Sequence, residues 1–359
     1  MSKMSGEKRA ASASFGSTQL VKRQRSEANL NGSALTKTNA GTSNALVQGA
    51  YSAASLPASV MQMSGHTAEI FAARFDPSGA QFASAGSDKN ILLWNATGEC
   101  NNHSILAGHK GAILDLQWSR DSGVIYSASA DLHIASWDVE TRERIRRHVG
   151  HEEVINSIDI SRRGEEFIVS ASDDGYIGIW DPRAKNAMDF IETPYPVTAV
   201  AIAEAGNEVY SGGIDNDIRV WDLRTKKEVY RLTGHTDTIT SLALSPDSQS
   251  LLSFGFDNAV RTWDIRPFAP TDRSIGRFDG AQIGVEKNLV KASWDADGKR
   301  IAAGGGDGTV TVWDSKSGRM LHKLPGHKGI VNDARISPDG SMLLSASTDE
   351  TLLLGELPR

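Results

Sequence analysis

The sequence predicts an all-β fold in which seven repeats of a small sheet form a ring. Seven times an aspartate stands six residues before the end of a short apolar run, and six of these runs end in tryptophan. The spacing between repeats is about 42 residues, which is typical of a repeat architecture. Because one small sheet cannot bury both of its faces alone, neighbouring repeats must stack. The pairs are Asp88 and Trp94, Asp131 and Trp137, Asp174 and Trp180, Asp215 and Trp221, Asp257 and Trp263, Asp307 and Trp313, and Asp349 and Gly355.

Two further residue types keep the register of these aspartates. A serine stands four residues before the aspartate in six repeats, at Ser84, Ser127, Ser170, Ser211, Ser253 and Ser345. A Gly-His pair precedes five aspartates, with its histidine at His66, His109, His151, His235 or His327. Over residues 57–359 this pattern resembles the WD40-repeat family. The resemblance implies a seven-bladed β-propeller with four antiparallel strands in each blade, around a central channel.

The resemblance also implies a buried hydrogen-bonded tetrad in each complete blade. The aspartate accepts from the histidine, the histidine meets the serine hydroxyl, and the serine meets the indole N–H, so every buried polar group has a partner. The complete sets are His66, Ser84, Asp88, Trp94; His109, Ser127, Asp131, Trp137; His151, Ser170, Asp174, Trp180; and His235, Ser253, Asp257, Trp263. Three blades depart from it, with Thr193 in the fourth, Val285 and Ala303 in the sixth, and Gly355 in the seventh. We expect those blades to hold their loops by other contacts.

The segment before the first repeat is predicted to close the ring. The seventh repeat contains three strands before the sequence ends at Arg359. Ser59–Met63 precedes the first Gly-His pair just as the outer strands of other repeats precede theirs. We therefore expect it to complete the last blade and to remove the open sheet edges that favour aggregation.

Composition divides the chain into a disordered basic tail, residues 1–50, and a propeller, residues 51–359. The tail is rich in small polar residues, and it cannot bury enough apolar surface to offset the entropy of ordering. It carries seven basic and two acidic residues, a charge of +5, which leaves about −11 for the propeller out of the total of −6. Such a propeller is a poor general binder of phosphate backbones, so any contact with RNA should be local.

Several classes of function are disfavoured by what the sequence contains. Cys100 is the single cysteine, which excludes an internal disulfide and a cysteine-rich metal site. The sequence has no apolar stretch that could span a bilayer. His148 and His151 lack a third ligand, and the glycines of residues 304–308 fit a hairpin rather than a nucleotide loop. We expect no enzymatic activity, no cofactor and no metal.

Several irregular stretches, some of them outside the repeat pattern, indicate a smaller group within the WD40 family. Val21–Arg25, Gly212–Arg224, Asp264–Pro270, Glu286–Leu289 and the ending Gly355–Leu357 resemble the WD-repeat proteins of the spliceosomal U5 small nuclear ribonucleoprotein. This resemblance implies a nuclear, non-catalytic scaffold subunit that acts in pre-mRNA splicing. It also implies docking, as a monomer, on the large scaffold protein of the U5 particle and on other spliceosomal proteins.

Two alternatives remain open. Asp181-Pro182-Arg183, Asp222-Leu223-Arg224 and Asp264-Ile265-Arg266 each follow a tryptophan and are similar to the WDxR motifs of substrate receptors for cullin ubiquitin ligases. These arginines could equally support local turns. A general peptide-reading propeller would instead need acidic and aromatic groups at the mouth of the channel.

Three positions in each repeat are expected on one face of the ring, by resemblance to the family. They include seven candidate partner-binding residues, namely Phe71, Leu114, Asn156, Ile214, Phe256, Val290 and Ile330. In the complete set of positions Glu69 and Asp173 are charged, and no lysine or arginine occurs. Depletion of charge is typical of the core of a protein interface, so we predict that this face docks a protein.

The gap between the fifth and sixth repeats is longer than the others. Trp263 and Asp307 lie 44 residues apart, against 35 to 37 in the other repeats. The excess falls in residues 267–286, and we expect a long surface loop there that contacts protein or local RNA.

Overall fold

The computed structural model describes residues 59–357, which form seven antiparallel four-stranded sheets. The first strand of each sheet contacts the first strands of the sheets on either side, and these contacts continue around the whole ring. The prediction of a seven-bladed propeller is confirmed. The predicted tail of residues 1–50 lies outside the described residues. No helix that could cross a membrane occurs in residues 59–357.

Each blade is a meander of strands ordered from the channel outwards. A single strand, β1 (Val60–Ser64), precedes the first complete blade. Blades 1 to 3 contain β2 (Ile70–Phe75), β3 (Gln81–Gly86), β4 (Asn90–Asn95), β5 (Asn102–Ala107); β6 (Ile113–Trp118), β7 (Val124–Ser129), β8 (His133–Asp138), β9 (Arg144–Val149); and β10 (Ile155–Ile160), β11 (Ile168–Ser172), β12 (Tyr176–Trp180), β13 (Asp189–Glu192). Blades 4 and 5 contain β14 (Val197–Ile202), β15 (Glu208–Gly213), β16 (Ile218–Asp222), β17 (Lys227–Leu232); and β18 (Ile239–Leu244), β19 (Ser250–Gly255), β20 (Val260–Asp264), β21 (Ser274–Phe278). Blades 6 and 7 contain β22 (Ala292–Trp294), β23 (Arg300–Gly304), β24 (Thr309–Asp314), β25 (Met320–Pro325); and β26 (Val331–Ile336), β27 (Met342–Ser347), β28 (Thr351–Glu356).

The seventh blade is completed by the strand that precedes the first repeat. β1 pairs antiparallel with β28, with Val60 opposite Gly355 and Met63 opposite Leu352. Met63 is buried against blade 1 and blade 7, whereas Val60 is 54% exposed. The predicted closure of the ring is confirmed, and no blade within residues 59–357 is left with three strands.

The apolar core is divided among the seven spaces between neighbouring blades. Each space holds its own cluster of buried side chains. The terminal tryptophan of a blade packs towards the preceding blade, as Trp137 does against Ile91 and Leu93 of blade 1. Large aromatic area is thereby buried at each joint, and burial of such area is the main favourable term in folding. Stacking of blades therefore supplies the stability that a single sheet lacks.

The predicted long loop at residues 267–286 is wrong in part. Ser274–Phe278 within it forms β21, the outer strand of the fifth blade, because Phe278 is buried in the cluster between blades 5 and 6. The remaining excess lies on both sides of β21, in residues 265–273 and 279–291. Phe268 in the first of these is fully exposed.

Candidate protein-docking site

The four complete tetrads have closely similar geometry. In blade 1 the indole N–H of Trp94 donates to Ser84 Oγ at 2.8 Å, and Ser84 Oγ lies 2.7 Å from His66 Nε2. His66 Nδ1 lies 2.7 Å from Asp88 Oδ2. The carboxylate accepts from Nδ1–H, which leaves Nε2 to share a hydrogen bond with the serine hydroxyl. The same contacts, between 2.6 and 3.0 Å, join His109, Ser127, Asp131, Trp137; His151, Ser170, Asp174, Trp180; and His235, Ser253, Asp257, Trp263.

The tetrad aspartates fix the loop that leads into each blade. Asp131 Oδ2 also accepts the backbone N–H of Lys110 at 2.9 Å, and Asp174 accepts that of Glu152 at 3.1 Å. Burial by itself raises the pKa of Asp131, but the hydrogen bonds from His109 and Lys110 outweigh it, so the pKa lies well below its ordinary value. These carboxylates are therefore ionised and acceptor-only, which suits a structural role.

The three blades with incomplete tetrads differ from one another in their hydrogen bonds. Blade 7 keeps the histidine, serine and aspartate contacts although Gly355 replaces tryptophan: His327 Nε2 lies 2.8 Å from Ser345 Oγ, and His327 Nδ1 lies 3.1 Å from Asp349. The expectation that this blade uses other contacts is wrong for its loop. In blade 4 the Thr193 hydroxyl instead donates to the Gly175 carbonyl at 2.6 Å. In blade 6 the Trp313 indole donates to the Asp279 carbonyl at 3.1 Å.

In six of the seven blades a β-bulge at the start of the first strand leaves one residue unpaired. The register of the first and second strands shifts at this point in every blade except the sixth, and the unpaired residue is Phe71, Leu114, Asn156, Thr198, Thr240 or Asn332. An extra residue in one strand re-aims a side chain, which explains why these positions face inwards.

Four of the bulge residues bind the next blade. Asn156 Nδ2 donates to the Val197 carbonyl at 3.1 Å, and Asn332 Nδ2 donates to the Ile70 carbonyl at 2.7 Å. The hydroxyls of Thr198 and Thr240 donate to the carbonyls of Ile239 and Val290 in the same way. We call these four contacts the inter-blade latches. Sequence reasoning missed them, because a single sequence does not show which residue of the first strand forms the bulge.

In the first two blades the bulge residue is apolar and makes no inter-blade latch. Phe71 and Leu114 carry no donor and line the channel as partly exposed side chains. Ile214 is 49% exposed in the turn between β15 and β16. Phe256 occupies the corresponding turn between β19 and β20, is partly exposed, and has Lys287 Nζ 5.3 Å from its ring centroid. These four are the accessible apolar residues among the seven candidates, and we call the face on which they lie the top face.

Three candidate residues are not available to a partner. Asn156 is 6% exposed because it latches blade 3 to blade 4, and Val290 and Ile330 are 0% and 7% exposed in the cluster between blades 5 and 6. Their placement on the accessible face is therefore corrected.

The error at Val290 comes from the register of the sixth blade. Its carbonyl accepts the latch from Thr240, as the Ile70 carbonyl accepts that from Asn332, so Val290 corresponds to Ile70. β22 pairs with β23 without a bulge, and the next residue, Lys291, takes the inward position. The prediction that no cation occupies these positions is wrong for this blade.

Lys291 crosses the channel. Its Nζ lies 2.6 Å from Asp115 Oδ1 and 2.8 Å from the Leu114 carbonyl, both on the first strand of blade 2. Burial raises the pKa of Asp115, but the charges of Lys291 and Arg74 outweigh it and hold the pKa well below its ordinary value. Burial lowers the pKa of Lys291 despite its partner. A cavity of about 540 Å³, lined by residues of all seven blades, surrounds this pair.

The three WDxR arginines are exposed, and the aspartate before each of them holds a local turn. Asp181 and Asp222 accept the backbone N–H of Arg183 and Arg224 at 2.8 Å. Asp264 accepts that of Arg266 at 3.0 Å and is also ion-paired with its guanidinium. The turns require the aspartate and leave the guanidinium groups of Arg183 and Arg224 in solvent.

Comparison with known proteins agrees with this architecture. Residues 58–95, 100–138, 142–181, 190–222, 226–264 and 318–354 match the WD domain, G-beta repeat. The chain belongs to the WD40-repeat family. Residues 277–333, which include the blade without tetrad histidine and serine, match the WD40 domain of anaphase-promoting complex subunit 4.

Several WD40 proteins are similar to this chain over most of its length. It is 51% identical to Pre-mRNA-splicing factor cwf17 of Schizosaccharomyces pombe, across 83% of this chain and 87% of that protein. It is 49% identical to the U5 small nuclear ribonucleoprotein 40 kDa protein of Dictyostelium discoideum, across 83% of this chain and 84% of that protein. The human protein of that name is 44% identical, across 88% of this chain and 89% of that protein. Within the WD40 family the chain therefore belongs with these proteins.

Proposed function

We propose that this protein is a non-catalytic interaction subunit of the U5 small nuclear ribonucleoprotein and the spliceosome, and that it acts in pre-mRNA splicing in the nucleus. The observation that carries the proposal is 51% identity to a pre-mRNA-splicing factor across 87% of that factor's length. The inter-blade latches and the ion pair between Lys291 and Asp115 hold the blades together, and such a rigid ring supports a role as a platform for binding partners.

The top face is the proposed docking surface for the large scaffold protein of the U5 particle. Phe71, Leu114, Ile214 and Phe256 are apolar, partly or largely exposed, and contributed by four different blades. Covering them is favourable, since buried apolar area contributes about 25 cal/mol per Å² before the costs of association. Interface hot spots typically cluster near the centre of a contact, where surrounding residues exclude water.

A paired substitution on the top face tests this role. We expect Phe71→Asp with Phe256→Asp to leave the propeller folded, because neither residue belongs to a tetrad or a latch, and to release the protein from the particle. Val229→Asp is the matched control: Val229 is 54% exposed on the outer strand of blade 4, away from the channel. The measurement is co-purification of the scaffold protein and U5 RNA with the tagged protein from nuclear extract.

Two results would contradict the proposal. Normal recovery of the scaffold protein by the folded double variant would place the docking surface elsewhere. Recovery of a cullin adaptor in place of spliceosomal proteins by the unaltered protein would favour the ubiquitin-ligase role, through the exposed Arg183 and Arg224.

A further inference from the structure

Two arginines stand at equivalent positions on neighbouring first strands. Arg74 is the fifth residue of β2 and Arg335 is the fifth residue of β26, and these strands contact each other where blades 7 and 1 meet. Both arginines line the channel cavity. Both also line a second cavity of about 240 Å³, bordered by Pro77 and Pro338 in the turns that follow these strands. The pair therefore lies towards the end of the channel opposite the top face.

The hydrogen-bonding capacity of this pair is poorly used. Arg74 Nη2 lies 3.5 Å from Asp115 Oδ1, a long contact, and its Nε is buried with no acceptor among residues 59–357. Arg335 Nε lies 2.7 Å from Asp333 Oδ1, but the N–H is not aligned with that oxygen, and neither atom has a hydrogen bond to another described residue. Buried donors without acceptors are costly, and a native structure that retains them generally has a use for them.

Carboxylates near the two arginines balance part of their charge. Arg74, Lys291 and Arg335 are positive, and Asp115 and Asp333 are negative. Asp76 also borders the second cavity, but its carboxylate accepts from the Ser78 hydroxyl and the Gln81 backbone N–H rather than from either arginine. Burial raises the pKa of Asp159, which disfavours its charged form. At the rim, Glu204 pairs with Arg163 and Asp295 pairs with Arg300. A monoanion would therefore place less excess negative charge beside these carboxylates than a dianion would.

We propose that Arg74 and Arg335 together bind a carboxylate group at this end of the channel. A guanidinium presents two parallel N–H groups that match the two oxygens of a carboxylate, and such charge-assisted pairs are stronger than neutral ones. A phosphate backbone fits less well, because the propeller carries about −11 in net charge and acidic residues already border the two arginines. The carboxylate is either a free small acid or an acidic side chain of a partner. The proposal is independent of the docking role of the top face.

Nuclear magnetic resonance of the full-length chain, labelled with ¹⁵N, tests the proposal directly. The Nε–H signals of Arg74 and Arg335 are assigned by their loss in the Arg74→Gln and Arg335→Gln variants. We expect both signals to shift saturably when sodium acetate replaces sodium chloride at constant ionic strength. The remaining signal in either variant should show at least about tenfold weaker acetate binding, since each charge-assisted pair contributes strongly. Arg277→Gln, which alters an exposed arginine paired with Asp279, should leave acetate binding unchanged.

Further titrations separate the outcomes. Tighter binding of the peptide acetyl-Gly-Glu-Gly-amide than of acetate would identify an acidic side chain as the ligand, and equal binding would identify a free acid. Tighter binding of inorganic phosphate than of acetate would overturn the carboxylate assignment. Absence of a saturable shift in every arginine Nε–H signal of the unaltered protein would overturn the site itself, and this result requires neither the assignments nor the variants.

Discussion

The tetrad aspartates show how one residue can control a whole loop. Asp131 accepts the His109 ring N–H at 2.9 Å and the Lys110 backbone N–H at 2.9 Å, and its pKa lies below its ordinary value. Asp307 occupies the same place in blade 6, but its partners are the hydroxyl and backbone of Thr309 and the exposed Lys323. We therefore expect aspartates at equivalent sequence positions to contribute different amounts to the free energy of unfolding.

Replacing each of these two aspartates with alanine tests whether they contribute unequally to stability. We expect Asp131→Ala to lower the free energy of unfolding by about 1–3 kcal/mol, because His109 and the loop amide lose their acceptor in a buried site. Asp307→Ala should cost clearly less, since its ion pair is half exposed and screened by solvent. Urea unfolding of both variants measures the difference. Equal losses would show that the tetrad contributes no more than an ordinary turn aspartate.

At the scale of single elements, strand β1 pairs with a strand that lies at the other end of the sequence. β1 has five residues, yet it supplies the outer strand of blade 7 and places Met63 in a cluster with Phe82 and Leu344. Without it, β28 would present an unpaired edge, and such edges promote association between chains.

Two substitutions within β1 test the importance of closure. We expect Met63→Asp to lower the melting temperature strongly and to promote aggregation, because it places an unpaired charge in a buried cluster. Val60→Asp, three residues earlier in the same strand, should have little effect because Val60 is 54% exposed. Thermal unfolding followed by circular dichroism, with light scattering, measures both effects. A similar response of the two variants would mean that β1 is not held as the structure shows.

At the scale of the whole molecule, one ion pair joins blades on opposite sides of the channel. Lys291 of blade 6 and Asp115 of blade 2 are 8% and 1% exposed at their side chains and lie 2.6 Å apart. Asp115 Oδ2 also accepts the backbone N–H of Ile158 in blade 3 at 3.0 Å. The pair ties the sixth blade, whose first strand has three residues and whose tetrad is incomplete, to the far side of the ring.

A double-mutant cycle measures this contribution. We expect Lys291→Met to cost about 3–5 kcal/mol of unfolding free energy, because it leaves a buried carboxylate without its closest cation. Combining it with Asp115→Asn should cost less than the sum of the single changes, since the charge is then removed as well. Lys299→Met, at an exposed pair with Asp297, serves as the control and should show no measurable change. Additive losses in the cycle would exclude direct coupling across the channel.

The repeat pattern by itself determined the number of blades, the tetrads and the closing strand, because these depend on residue types at fixed spacing. The spacing of His109, Ser127, Asp131 and Trp137, for example, identifies the tetrad that the structure displays in blade 2. Tertiary structure alone decided which channel positions are accessible. A bulge cannot be recognised in a single sequence. Because blade 6 has no bulge, the position predicted from the sequence was one residue too early, and it named Val290 in place of Lys291. The cluster of Arg74, Asp115, Lys291 and Arg335 likewise joins residues up to 261 positions apart in the chain, and only the closed ring brings them together.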